Sequence, residues 1–118
     1  MHPLVERVVG STNTTTAANI ESQQVPPGEV WELGFACLYN ESGEPVTVSW
    51  LMVDGTRLEQ LTGTDQVANN DSLPFPLPLP TLPEGAKLRA KVTGVAQTGK
   101  VTLILTGRRW PSGAVPGG

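Results

Sequence analysis

The apolar and polar residues of this chain alternate with the two-residue period of β-strands in several short segments. The segment Glu29 to Tyr39 predicts a strand whose core face carries Trp31, Leu33, Phe35, Cys37 and Tyr39. The segment Val46 to Val53 predicts a second strand, with Val46, Val48, Trp50 and Met52 on one face. Later in the chain, residues 87–95 turn Leu88, Ala90 and Val92 inward, and residues 101–106 turn Val101, Leu103 and Leu105 inward.

Turn signals separate these segments at regular intervals. Proline and glycine mark turns at residues 25–28, 40–45 and 83–85, and Asp54-Gly55 predicts a two-residue hairpin that returns through residues 56–61. Further short strands are expected within residues 18–25 and near Val67. Seven or eight short strands without helical periodicity predict an all-β fold, an antiparallel β-sandwich of jelly-roll-like type.

The length of 118 residues fits one domain with its own core. Residues 1–17 are predicted to be an N-terminal arm, because the stretch STNTTT is polar and low in complexity. Residues 18–107 form the predicted sandwich domain, and the Gly/Pro-rich residues 108–118 form a C-terminal tail.

A proline ladder occupies residues 72–83, SLPFPLPLPTLP. Polyproline II has three residues per turn, so prolines at every second position do not suit a ligand of proline-reading domains. In an extended strand this spacing places Leu73, Phe75, Leu77 and Leu79 on one face, while the prolines close one edge to pairing. The ladder is therefore predicted to be a one-sided edge strand or clamp, whose apolar side chains either complete the core or form part of a subunit interface.

The charges divide unevenly along the chain, whose net charge is −3. Residues 1–86 carry a net charge of −9 and residues 87–118 carry +6. Lys87, Arg89 and Lys91 form a row on one strand face, which is either solvated or paired across a subunit boundary with acids such as Glu29, Glu32, Glu41 and Glu44. Nucleic acid is not an expected partner, because the overall balance is acidic and aromatic residues do not alternate with the basic ones.

The sequence contains few residues with catalytic or metal-binding chemistry. His2 is the only histidine and Cys37 the only cysteine, so no catalytic residues, metal site or cofactor are predicted. No apolar run approaches the roughly 18 residues of a membrane span. Trp31 and Trp50 are expected in the core, whereas Trp110, beside Arg108 and Arg109, either anchors an interface or folds back over the open end of the sandwich.

The order of several motifs resembles small virion proteins of tailed bacteriophages. These motifs are VPPGEVWEL (25–33), a strand ending at Asn40, a Trp-bearing strand closed by Asp54-Gly55, and LPTLPEGAKLRAKVTG (79–94) leading to GKVTLILTG (99–107). The resemblance covers roughly residues 25–107, while the polar arm and the tail depart from the compact pattern.

The resemblance implies a virion protein without enzymatic activity, assembled in the host cytoplasm. Such a protein decorates and cements a capsid, binding the major capsid protein and copies of itself, often as a trimer. Alternatives are a fibre or tail-associated protein and, from a different class, a carbohydrate-binding module. The candidate interface comprises Leu4, Val5, Leu73, Phe75, Leu77, Leu79, Lys87, Arg89, Lys91, Arg108, Arg109 and Trp110.

Overall fold

The computed structural model describes residues 2–12, 18–93 and 99–111, which form ten β-strands and no helix. The strands are β1 (His2–Thr12), β2 (Ala18–Glu21), β3 (Glu29–Asn40), β4 (Val46–Asp54), β5 (Arg57–Gln60), β6 (Asp65–Val67), β7 (Asp71–Pro74), β8 (Thr81–Leu82), β9 (Ala86–Thr93) and β10 (Gly99–Pro111). Within these ranges there is thus no helix of the length and apolarity that crossing a membrane requires.

The strands form two five-stranded antiparallel sheets that pack against each other. The first sheet has the order β1-β10-β3-β7, and β8 also pairs with β3. The second sheet has the order β2-β9-β4-β5, and β6 also pairs with β4. This confirms the predicted all-β fold of two packed antiparallel sheets.

The core lies between the sheets and takes apolar side chains from both inner faces. The inward faces predicted for β4, β9 and β10 are confirmed, because Trp50, Leu88 and Leu103 are all fully buried in one cluster. Trp31 belongs to the same cluster, as predicted. Alternate residues of each strand face away from this core, so each sheet also has an outer face.

The predicted core face of β3 is wrong beyond Gly34. Thr106 of β10 lies opposite Phe35, but the next residue, Gly107, lies opposite Leu33, so Gly34 is an extra residue in β3. A β-bulge of this kind reverses the alternation of side chains. Before the bulge Trp31 and Leu33 face the core, and after it Ala36 and Leu38 do. Phe35, Cys37 and Tyr39, predicted to be inside, share the outer face with Thr106, Ile104 and Thr102.

The predicted one-sided edge strand or clamp is found only at the two ends of the proline ladder, and the middle of the ladder is not a strand. Its first residues pair with β3 as β7, and the N–H of Phe75 donates to the carbonyl of Ala36 at 2.8 Å. Pairing resumes only where Thr81 lies opposite Glu32. Six residues, 75–80, thus face four residues of β3, 33–36, and the surplus chain has to leave the sheet edge. The Leu77–Pro78 peptide bond within it is cis.

Both ends of the described chain belong to the first sheet. β1 pairs with β10 over eleven residues, from His2 opposite Arg109 to Thr12 opposite Gly99. β10 continues to Pro111, past the predicted strand end at Thr106, so residues 108–111 are strand rather than tail. Residues 13–17 of the predicted arm and 112–118 of the predicted tail lie outside the described residues.

Candidate interaction surfaces

The residues predicted as one interface are distributed over three separate surfaces and the core. Leu4 and Val5 lie in β1, at the register positions opposite Gly107 and Thr106, and their side chains lie outside the description. The other ten residues divide among the ladder, the outer face of the second sheet and the end of β10. The structure therefore does not unite the predicted set in one site.

The four apolar side chains of the ladder have different surroundings. Phe75 is buried at 8% exposure and belongs to the core, and Leu73 and Leu79 are half-buried against it. Leu77 is 82% exposed, between the exposed Pro76 and Pro78. Of the alternatives left open by the sequence, core packing therefore holds for three residues, while Leu77 faces solvent.

Residues 76–80, here called the proline loop, lie beside the bulged part of β3. Phe35 at the bulge is 45% exposed, so the loop and the bulge bring two large exposed apolar side chains to the same edge of the first sheet. The ladder from Ser72 to Pro83 contains no charged residue. This edge therefore offers an uncharged apolar surface, with prolines that provide no N–H groups for strand addition.

The basic row lies on the outer face of the second sheet and has an acidic partner within the chain. Nε and Nη2 of Arg89 both lie 2.8 Å from Oε2 of Glu21, and Nζ of Lys87 lies 3.8 Å from Oε1 of the same carboxylate. Lys91 is exposed. The sequence pattern does not reveal Glu21 as this partner, because only the β2–β9 register brings it opposite Arg89.

Half of the six aromatic residues lie outside the core. Trp31, Trp50 and Phe75 are buried between the sheets, whereas Phe35, Tyr39 and Trp110 lie on the outer face of the first sheet. These three residues are called the aromatic row below. The alternation in β3 predicts Phe35 and Tyr39 in the core. The signal against that prediction is Gly34, because glycine within a strand often marks a bulge.

Trp110 is held against the sheet by a hydrogen bond. It is half-buried and lies opposite Val30 in the β3–β10 register, and its Nε1–H donates to Oε1 of Glu32 at 3.1 Å. Arg108 lies opposite Glu32 and is exposed. Arg109 occupies the position opposite Trp31, and its buried Nε has no hydrogen-bond partner among the described residues.

Cys37 is buried on the outer face, between the exposed Phe35 and the half-buried Tyr39 in sequence. Burial raises the pKa of the Cys37 thiol, because the thiolate would lose solvation. The predicted placement in the core is wrong for this residue, but its burial is confirmed.

The described residues contain no group of three or more His, Cys, Asp and Glu side chains placed to hold a metal ion. An open groove lies at one end of the sandwich, where the turns at residues 25–28 and 83–85 meet. The N–H of Gly85 donates to the carbonyl of Val25 at 3.0 Å, and Nε2 of Gln24 donates to the carbonyl of Gly85 at 3.0 Å. The N–H and carbonyl groups of Gly85 in this groove thus already have partners within it.

Comparison with family models, curated proteins and solved structures found no match to this chain.

Proposed function

We propose that this protein is a non-enzymatic structural protein of a virion, which decorates a capsid and cements neighbouring copies of the major capsid protein. The observation that carries the proposal is the exposed Leu77 in an uncharged proline loop beside the exposed Phe35. Apolar side chains displayed together at a surface favour protein contact. The prolines permit contact through side chains while limiting sheet-to-sheet aggregation, which matters where many copies lie close together.

The size of the loop supports binding at several points rather than one. A stable interface buries about 800 Å² on each partner, which is more than a five-residue loop supplies. On a capsid the same contact repeats, and copies joined as a trimer would bind with a raised effective concentration. Within this proposal the sandwich is of jelly-roll type, and the contact extends to β1 and to the end of β10, strands that include most of the predicted arm and the start of the predicted tail.

The motif resemblance at residues 25–107 is the reason for proposing a capsid rather than another assembly. A fibre or tail-associated position is the alternative within the virion, and it would use the same surface. The low charged fraction of 16% is compatible with either position, since both would bury protein surface and charged residues are depleted at the centre of interfaces.

Co-sedimentation with capsid shells, purified from the virus whose genome encodes the chain, tests this proposal. We expect saturable binding and a shell that resists heating better when the protein is bound. Leu77→Asp should weaken binding by about tenfold or more, since it puts a charge into an apolar contact. Leu58→Asp is the matched control, because Leu58 is 56% exposed on β5 of the other sheet. Absence of binding, or equal loss with both variants, contradicts the proposal.

A further inference from the structure

We infer that the aromatic row is a binding platform for a linear, uncharged oligosaccharide, a function that goes beyond the proposed capsid contact and shares with it only Phe35 and the end of β10. Phe35, Tyr39 and Trp110 lie on the solvent side of the first sheet, where packing of the sandwich core does not require aromatic rings. Sugar rings expose flat faces of C–H groups, which pack on aromatic rings, while their hydroxyl groups seek donors and acceptors at the ring edges.

The hydrogen bond from Nε1 of Trp110 to Glu32 prepares one part of this platform. It fixes the orientation of the indole before any ligand arrives, so binding costs less side-chain entropy. Oε2 of Glu32 has no hydrogen bond or ion pair among the described residues, and the guanidinium of Arg108 is exposed beside it. An acceptor and several donors therefore flank the ring, as hydroxyl recognition requires.

The spacing of the rings indicates an extended ligand. Trp110 lies opposite Val30, Phe35 follows the bulge, and Tyr39 is four residues further along β3. At about 3.3 Å per strand residue, successive rings are roughly 13 Å apart and the row is about 26 Å long. Because all three rings lie on the outer face of one sheet, a linear chain can contact them together, whereas a monosaccharide reaches only one.

The charges around Trp110 favour a neutral ligand over a nucleic acid. Glu32 and Arg108 carry opposite charges and lie opposite each other in the register, so their charges balance near Trp110. Proteins that bind single-stranded nucleic acids combine stacking aromatics with a positively charged groove. A protein partner is also less suitable, because strong contact residues cluster at the centre of an interface, whereas the charged Glu32 and Arg108 separate Trp110 from Phe35.

Intrinsic fluorescence provides a direct test, since Trp31 and Trp50 are buried and Trp110 is the only half-exposed tryptophan. The full-length protein is titrated with cellohexaose, chitohexaose and maltohexaose, and with the matching disaccharides. We expect a change in Trp110 emission with at least one hexasaccharide, and weaker binding of its disaccharide. Trp110→Ala, followed by calorimetry because it removes the reporting indole, and Tyr39→Ala should each weaken binding about tenfold.

The controls separate this inference from the proposed capsid contact. Leu77→Asp should leave oligosaccharide binding unchanged, and Trp110→Ala should leave the fold unchanged by circular dichroism, because Trp110 lies outside the core cluster. If none of the three hexasaccharides binds, or if Trp110→Ala binds as well as the parent protein, the inference is wrong. Binding of an oligothymidylate through Trp110 in place of the sugars would also overturn it.

Discussion

The rings of Trp50 and Phe75 meet edge to face, with centroids 5.3 Å apart and an interplanar angle of 63°. Trp50 lies in β4 of the second sheet, and Phe75 follows β7 at the edge of the first, so this contact joins the two sheets. Both side chains are buried. The proline ladder is therefore attached to the core by its second apolar-proline step, Phe75-Pro76, immediately before the chain leaves the sheet edge.

Replacing Phe75 should destabilise the fold strongly. We expect Phe75→Ala to lower the free energy of unfolding by about 3–5 kcal/mol, because it removes a buried ring and leaves a cavity against Trp50. Urea denaturation measures this change. Leu77→Ala, two residues further on at an 82% exposed position, should change stability by less than about 0.5 kcal/mol. If both variants lose similar free energy of unfolding, Phe75 does not belong to the core and Leu77 to the surface as described.

Gly107 is required by the close approach of β3 and β10 at the bulge. A Cβ atom on Gly107 would overlap the carbonyl oxygen of Glu32 and lie 2.9 Å from the Cα of Leu33, both of them backbone atoms. We expect Gly107→Ala to cost about 2–3 kcal/mol or more, measured by thermal denaturation. At Gly34 the nearest atoms to an added Cβ are 3.8 Å away, so Gly34→Ala should be nearly neutral. A tolerated Gly107→Ala would show that the bulge is placed wrongly.

Asn40 joins two loops at the end of β3. It is fully buried, its Nδ2 donates to the carbonyls of Glu44 at 2.8 Å and of Val67 and Ala68 at 3.2 Å, and its Oδ1 accepts from the N–H of Ser42 at 2.9 Å. Asn40→Ala should cost about 2–4 kcal/mol in guanidinium denaturation, because several backbone groups lose their partner in a buried site.

Asn69 provides the control for this prediction. Its Oδ1 accepts a hydrogen bond from the N–H of Gly43 at 2.8 Å, but both residues are exposed and water can replace the side chain. Asn69→Ala should therefore cost less than about 1 kcal/mol. Asn40→Asp should be destabilised as well, because a carboxylate oxygen would face carbonyl oxygens in place of the amide. If Asn40→Ala is as stable as Asn69→Ala, the side chain of Asn40 does not stabilise the two loops as we expect.

Because Cys37 is buried, we expect the free energy of unfolding to fall as the pH becomes alkaline. Since burial raises its pKa in the fold, the unfolded thiol releases its proton first as pH rises. The stability contributed by the neutral thiol is full below the unfolded pKa and is lost as pH rises through the folded pKa. The contribution of the thiol is measured by following the free energy of unfolding against pH in the parent protein and in Cys37→Ala. A parent slope no steeper than that of Cys37→Ala would contradict it, as would rapid reaction of the native thiol with a disulfide reagent near neutral pH.

The sequence predicts those parts of the fold that depend on neighbouring residues, and not those that depend on contacts between residues far apart in the chain. The faces of β4, β9 and β10 follow from alternation alone, because each of these strands keeps its period. β3 also alternates in sequence, but the close approach of Gly107 to Glu32 allows a bulge at Gly34 and reverses its second half. Gly107 and Glu32 are far apart in the chain, so the sequence of β3 alone does not reveal their contact.

Contacts between distant residues also determine the proline ladder and the basic row. Local spacing predicts an extended segment, but only the pairing of Pro74 with Cys37 and of Thr81 with Glu32 reveals that the ladder is too long for the edge it follows. Arg89 meets Glu21 because β2 and β9 are neighbours in the second sheet, a pairing across 68 residues. The exposed Leu77 and the aromatic row thus emerge from tertiary pairing rather than from the sequence pattern.

Electron cryo-microscopy of particles of the virus whose genome encodes this chain tests the proposed function most directly. We predict density for the sandwich on the outside of the shell, over the boundary between neighbouring major capsid protein subunits, with the proline loop and Leu77 facing the shell. Density confined to the tail or fibres would support the alternative position in the virion. Particles that lack the chain altogether, or that hold it with Leu77 turned to solvent, would contradict the capsid-binding role proposed for this surface.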